Sequence, residues 1–301
     1  MATGPSKSAL RANVNILFGD LPKTDEVDST VVIAKKAYLK QHQDAWAEWL
    51  GVSVDATTME TMIQDTAASS STTTLIHGKR FTVAALPDKV TRNNHEFSVH
   101  TVTDLVSSTT AKGQNVRLVF AGVANTNVGP LASAVAKAFS LYSQKTKADD
   151  DDQKDEDTRR TVNVSFLETN SSTVILAPAA LQAASVVADG VQLAARLVDM
   201  TPAELTTEAY AAECKTLAES LEGVTMTEIV GKELDEKGYG GIYGVGKAAT
   251  CPPRLVIMEY NPPETPTETV ALVGKAIVYD TGGLSLKPKT GMCGMKADMG
   301  G

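Results

Sequence analysis

Four residues near the end of the chain, Lys275, Asp280, Lys287 and Asp298, combine the side-chain types that metal-assisted hydrolysis requires. Two carboxylates offer hard oxygen ligands, and a lysine in a dry site can give up its proton and coordinate as a neutral amine. A second lysine that keeps its proton can polarise a carbonyl and stabilise the oxyanion that forms. The same residue types also build structural ion-pair networks, so composition of the cluster leaves both readings open. Lys275 and Asp280 interrupt an otherwise apolar run, VALVGKAIVYD, where an unpaired buried charge costs several kcal/mol. They are therefore expected to find each other, another partner or a metal. Asp280 leads into Gly282 and Gly283, which set a carboxylate at a strand end and leave room for a close approach to the backbone. In open α/β sheets, ligands bind outside the carboxyl ends of strands.

The elements that must position these residues follow the pattern of an α/β layer fold. Strands are expected at 31–34, 81–86, 116–122, 162–166 and 174–176. Helices are expected at 36–50, with Trp46, Trp49 and Leu50 on one side, at 99–106, and at 130–142 with Pro130 in its first turn. Seven of the nine residues 149–157 are acidic, and so many like charges make 148–160 a solvated loop. A long helix follows Pro178, with Ala184, Val187, Ala188, Val191, Ala195 and Val198 on one stripe. The expected boundary lies near 177, giving an N-terminal mixed α/β domain over 1–177 and a second α/β domain over 178–301. In the second, a helix at 207–221, a strand at 224–229 and a short helix at 232–236 precede a glycine-rich turn. Strands at 255–260, 270–273 and 276–279 complete it, with a turn at 261–269.

Composition removes several function classes. The 301 residues carry 28 Lys+Arg against 36 Asp+Glu, a net charge of −8, which argues against a binder of nucleic-acid phosphates. No run of about 18 apolar residues offers a membrane span, and the apolar stretch 14–18 is too short for a signal-peptide core. A cytoplasmic protein is expected. Cys214, Cys251 and Cys293 have neither disulfide-framework nor zinc-knuckle spacing. His95 and His100 are five apart, poor spacing for joint metal ligation on a helix. Asn163 and Asn170 open glycosylation sequons that have no meaning without a secretory signal. The run from Gly241 to Gly246 and Lys247 fits G-x-x-x-x-G-K, but Ala248 stands where Ser or Thr would hold magnesium. Pro252 and Pro253 then forbid the helix whose N-terminus would hold a phosphate.

The spacing of the four site residues resembles the signature of the leucine aminopeptidase family, M17, also called cytosol aminopeptidases. That signature, K-x4-D-[ST]-G-G-x3-K-x10-D-M-G-G, is matched at every interval from Lys275 to Gly301. The resemblance continues upstream through GYGGIYGVGKAA and LAARLVDMTPAELT and covers residues 178–301. It is closest to the probable aminopeptidase-like branch of animals and protists. The resemblance implies a macro-like N-terminal domain, a metallo-aminopeptidase catalytic domain and release of N-terminal amino acids from peptides. It implies two divalent metal ions, zinc or manganese, with magnesium or cobalt also accepted. Lys275 would ligate one metal, Asp280 would bridge both, and Asp298 would ligate the first and help hold the substrate's amino group. Lys287 would be the unliganded electrophile, and Met295 would line the pocket for the substrate's first side chain. The family assembles as hexamers.

Two departures stand out. Ala276 replaces the usual glycine after the first lysine, awkward only where φ is positive. The family's second signature, Asn-Thr-Asp-Ala-Glu-Gly-Arg-Leu, which supplies further metal ligands and an arginine, has no equivalent in residues 1–301. The catalytic domain is thus expected to be incomplete and the chain a fragment. The alternative is a non-catalytic family member acting as an assembly or binding module.

Overall fold

A computed structural model describes residues 14–21, 26–42, 54–110, 115–142, 160–168, 177–292 and 294–301. The acidic run, Trp46, Trp49, Leu50, Asn170, the strand expected at 174–176 and Cys293 lie outside the described residues. The chain divides into two compact units, with Ser8–Ala195 in one and Arg196–Gly301 in the other.

The first unit is built on a six-stranded sheet of β1 (Val14–Phe18), β2 (Ser29–Lys35), β3 (Ser70–Ile76), β4 (Lys79–Leu86), β5 (Asn115–Val123) and β6 (Arg160–Glu168), in the order β1-β6-β5-β2-β4-β3. All neighbours are parallel except β3, which returns antiparallel along β4. Both faces are covered. Val31, Ile33, Leu118 and Phe120 sit in a cluster with Val102, Val106, Leu131 and Val135 of α3 (Val99–Thr109) and α4 (Val128–Lys137). Val32, Ala34, Val119 and Ala121 point the other way, onto Leu39 of α1 (Lys36–Gln41) and Met59 and Ile63 of α2 (Ala56–Asp65). A strand buried on both faces needs apolar residues at every position, which is why β2 and β5 read as continuous runs. Arg117 is the exception on β5: it is 2% exposed, and its guanidinium donates to the Thr30 hydroxyl at 3.2 and 3.1 Å.

The expected helix at 130–142 is found as Val128–Lys137, so Pro130 does fall in its first turn. Of the helix expected at 36–50, the described part is Lys36–Gln41, and Lys36 Nζ donates to the Thr66 carbonyl at 2.6 Å just past the end of α2. Asp55 caps that helix, accepting from the Thr58 amide at 2.8 Å. Beyond these, α5 spans Pro178–Asp199 as one 22-residue helix, with Ala184 and Ala188 of the expected stripe buried.

In the second unit, α6 (Thr207–Ser220) packs on an antiparallel pair, β7 (Val224–Val230) and β8 (Arg254–Tyr260). Thr206 caps α6 by accepting from the Ala209 amide at 3.2 Å. Arg196, buried, grips Glu213 of α6 through two hydrogen bonds of 3.1 and 2.7 Å. Between β7 and β8, α7 (Lys232–Glu236) is where it is expected. The glycine-rich stretch is not the expected turn. Gly240–Gly246 forms a helix, α8, which ends before Pro252 and Pro253. The backbone that would have to wrap a phosphate is thus spent on helical hydrogen bonds, and the phosphate-loop reading loses its loop.

The strands expected at 270–273 and 276–279 do not form. A strand exists only where a neighbour completes its hydrogen-bond ladder. Among the described residues β7 and β8 pair with each other and with nothing else. Val270, Leu272 and Val273 are 80%, 93% and 96% exposed, so the apolar run is not buried either. Among the described residues no helix is long and apolar enough to cross a membrane.

Candidate active site

The four site residues predicted from spacing come together around one small cavity of about 160 Å³ in the second unit, lined also by Pro202, Ile277, Tyr279, Met292 and Met295. They arrive from two directions. Lys275 and Asp280 lie on the extended segment, Lys287 on the turn after it, and Met295 and Asp298 on a 3-10 helix, Met295–Gly300, beyond the short helix α9 (Lys289–Met292).

Glycine makes both approaches possible. A Cβ on Gly274 would collide with the Gly301 carbonyl oxygen, so the backbone of Gly301 lies directly against Gly274 and Lys275. That contact sets Asp298 opposite Lys275, whose Nζ donates to Asp298 Oδ2 at 3.2 Å. At the other approach, Gly282 and Gly283 adopt φ of 84° and 65°, the left-handed region. The turn is closed by the Lys287 amide donating to the Thr281 carbonyl at 2.9 Å. A Cβ on Gly282 would meet the Ser285 carbonyl oxygen and lie 3.0 Å from Cγ of Lys287, so glycine here lets the lysine fold back across the turn.

Lys287 then donates to Asp280 Oδ2 at 2.7 Å and reaches the Met295 sulfur at 3.5 Å. The Gly282 amide donates to the other carboxylate oxygen, Oδ1, at 2.8 Å. The Lys287 ammonium, followed by the Gly282 amide, holds the Asp280 carboxyl below the ordinary aspartate range. Pairing therefore differs from the simplest expectation. Lys275 and Asp280 do not pair with each other: each takes a partner from the later half of the segment. The pairs are also not buried. Lys275 and Asp298 side chains are about half exposed, and Lys287, at 28%, is the most enclosed of the four.

Ala276, the departure from the glycine pattern, carries no strain. The described non-glycine residues with positive φ are Ser69, His77 and Ser98. Tyr279 and Met292 were not singled out from spacing; the Tyr279 hydroxyl lies 4.0 Å from the Met292 sulfur on the cavity wall. Position immediately before Asp280 was the available signal for Tyr279, whereas nothing in the pattern marks Met292. His95 is engaged in the first unit, within 3.4 Å of Asn127, whose amide also donates to Glu96 at 2.8 Å. Among the described residues no three His, Cys, Asp or Glu side chains gather as a metal site. The polar side chains at the cavity are two carboxylates, Asp280 and Asp298, two amines, Lys275 and Lys287, and the Tyr279 hydroxyl.

With this geometry in place, comparison with known proteins is informative. Residues 192–301 match the cytosol aminopeptidase family, catalytic domain, and residues 28–148 match the M17 aminopeptidase N-terminal domain 2. The mouse protein named probable aminopeptidase NPEPL1 is 41% identical over 220 residues, which is 73% of this chain and 40% of the mouse protein. Leucine aminopeptidase 1 of Caenorhabditis elegans is 40% identical over 175 residues, 56% of this chain and 31% of the worm protein. Among solved structures, leucyl aminopeptidase from Trypanosoma brucei in complex with actinonin aligns with a TM-score of 0.78 at 30% identity, over 98% of this chain and 58% of that one. The chain thus spans well under two thirds of the length of the relatives it matches.

Proposed function

From the membership of this chain in the cytosol aminopeptidase family, M17, we propose that it contributes to a metal-dependent aminopeptidase that releases N-terminal amino acids from peptides. The observation that carries this reading is the convergence of Lys275, Asp280, Lys287 and Asp298 on one cavity as the segment 275–298 folds back on itself. A structural ion-pair network would not need an apolar cavity beside it, lined here by Ile277, Met292 and Met295.

The donor set suits a divalent cation. Asp280 and Asp298 supply hard carboxylate oxygens and Lys275 an amine, a combination that accepts zinc, manganese, magnesium or cobalt. Asp280, Asp298 and Lys275 are the residues of this chain that would hold an ion, and a second ion would require further oxygen ligands. Bound there, such an ion supplies an acidified water for attack and a positive charge for the peptide carbonyl. The protein's own groups do the rest. Asp298 accepts a hydrogen bond from the substrate's terminal ammonium, which fixes the chain end and makes the enzyme an exopeptidase. Lys287 donates to the oxygen of the scissile carbonyl as negative charge develops on it. Met295, with Met292 and Ile277 beside it, receives an apolar first side chain. The family's hexamer is the expected assembly.

Release of leucine from leucyl amide by a full-length protein that contains this chain together with the family's second signature tests this. Activity is expected with added manganese or zinc, abolished by chelation, and reduced about 100-fold or more by Lys287→Ala, the scale of losing one oxyanion donor. Release that survives chelation or is undiminished in Lys287→Ala would overturn the reading.

A second reading, a non-catalytic assembly module, draws on the exposure of Val270, Leu272, Val273 and Leu284, an apolar row of the kind that marks association surfaces. It calls for a rise in mass by size exclusion when the chain meets a full-length family member, with no release of leucine.

A further inference from the structure

Lys287 is held more closely than the other three site residues. Its amide is fixed to Thr281, its Cγ lies against Gly282, and its ammonium rests between Asp280 Oδ2 at 2.7 Å and the Met295 sulfur at 3.5 Å. Both oxygens of Asp280 are thereby engaged. Oδ1 is held by a main-chain amide that cannot leave without opening the turn, and Oδ2 by a side chain that can rotate away. A divalent cation binds a carboxylate oxygen at about 2.0–2.2 Å, so it and an ammonium on the same oxygen would lie only about 3–4 Å apart. Two positive groups that close repel, and the mobile one yields.

We propose that Lys287 is a displaceable counter-ion for Asp280: it neutralises the carboxylate while no metal is bound, and an arriving cation expels the ammonium into the cavity. This inference rests on the metal-dependent reading above and deepens it. The expelled ammonium is then free to meet a carbonyl, so that loading the cation and presenting Lys287 to substrate become a single event. Before loading, the positive charge is tied up on Asp280 and the cavity offers no free cation from this residue to a passing peptide. Lys275 behaves differently. Lys275 would release its proton to solvent as the cation binds and coordinate it as a neutral amine beside Asp298, so Lys275 stays where Lys287 leaves.

Manganese titration of the whole 301-residue chain by calorimetry separates the possibilities. Lys287→Met removes the competing charge at similar volume and is expected to tighten binding about two- to five-fold, the range for exposed ion pairs. Lys287→Arg keeps the charge and should bind as the parent does, whereas Lys275→Met should bind more weakly. A second readout needs no variant: acylation of Lys287 by a soluble amine reagent, followed by mass spectrometry, should rise when manganese is added. If Lys287→Met binds no more tightly and Lys287 acylation is unchanged by manganese, while Lys275→Met still weakens binding, the counter-ion role falls and the metal reading stands. If the parent chain shows no saturable manganese binding, both fall together.

Discussion

The stretches 29–35 and 270–279 are chemically alike and structurally opposite. Both carry runs of Val, Ile and Ala, 31–34 in the first and most of 270–279 in the second. The first becomes β2, with Val31, Val32, Ile33 and Ala34 wholly buried and a parallel neighbour on each side. The second has no neighbouring strand among the described residues and leaves Val270, Leu272 and Val273 facing water. An apolar run is thus a request for a ladder and a cover, and it is the rest of the chain that grants or withholds them. Burying a residue such as Leu or Phe contributes roughly 1.5–3 kcal/mol, so β2 and β5 are anchored while the site segment contributes almost nothing to folding.

The sharpest way to break this comparison is to truncate one residue in each region. Phe120→Ala on β5, where the ring is fully buried, should cost about 3–5 kcal/mol in urea unfolding. Leu272→Ala should stay within about 0.5 kcal/mol; a larger loss would mean that the segment is packed after all. Next in size, Gly282→Ala forces a side chain into a left-handed turn and against the Ser285 carbonyl. It should cost about 1–3 kcal/mol locally and weaken manganese binding, with the six-stranded sheet keeping its hydrogen-exchange protection. If protection in the sheet falls too, the two units are not energetically separate.

The smallest effect is on acid stability. Lys35 and Asn127 hold the Glu96 carboxyl below its usual range, as Lys287 and Gly282 hold Asp280. A carboxyl whose pKa is lower folded than unfolded contributes stability that is complete above the unfolded value and vanishes as pH falls through the folded one. Both contributions should therefore be present at neutral pH and be lost on the acid side, below about pH 4. Glu96→Gln should flatten that acid limb for the sheet unit, and Asp280→Asn should leave the sheet's limb unchanged.

Much of the first unit was legible because a sheet covered on both faces writes continuous apolar runs, and β2, β4, β5 and β6 all appear near the expected residues. β3 was not legible: Ser70, Ser71, Thr72, Thr73 and Thr74 carry hydroxyls at every position, with no alternation to signal an edge strand. Nor was β1 assigned, although its apolar run was visible. At the site, spacing named the four charged residues but not their pairing. Lys275 and Asp280 are five residues apart and line the same cavity, yet they do not pair with each other. Each partner comes instead from a turn or a close glycine contact, features that depend on tertiary approach. The stretch Gly240–Gly246, expected as a turn, is helical although four of its seven residues are glycines, the residue poorest in helix propensity after proline.

The hydroxyl-rich edge strand has a consequence for how this chain would behave in concentrated solution. Threonine keeps the β-branching that suits a strand while presenting water-seeking atoms, so the outer edge at Ser70–Ile76 gives other chains little reason to stack on it. Leu75, two-thirds exposed, is the one large apolar side chain this edge turns to water. Exposed apolar side chains are concentrated instead in 270–286, where Leu284 and Leu286 join the valines, and self-association of this chain is expected to begin there, close to Lys275 and Lys287.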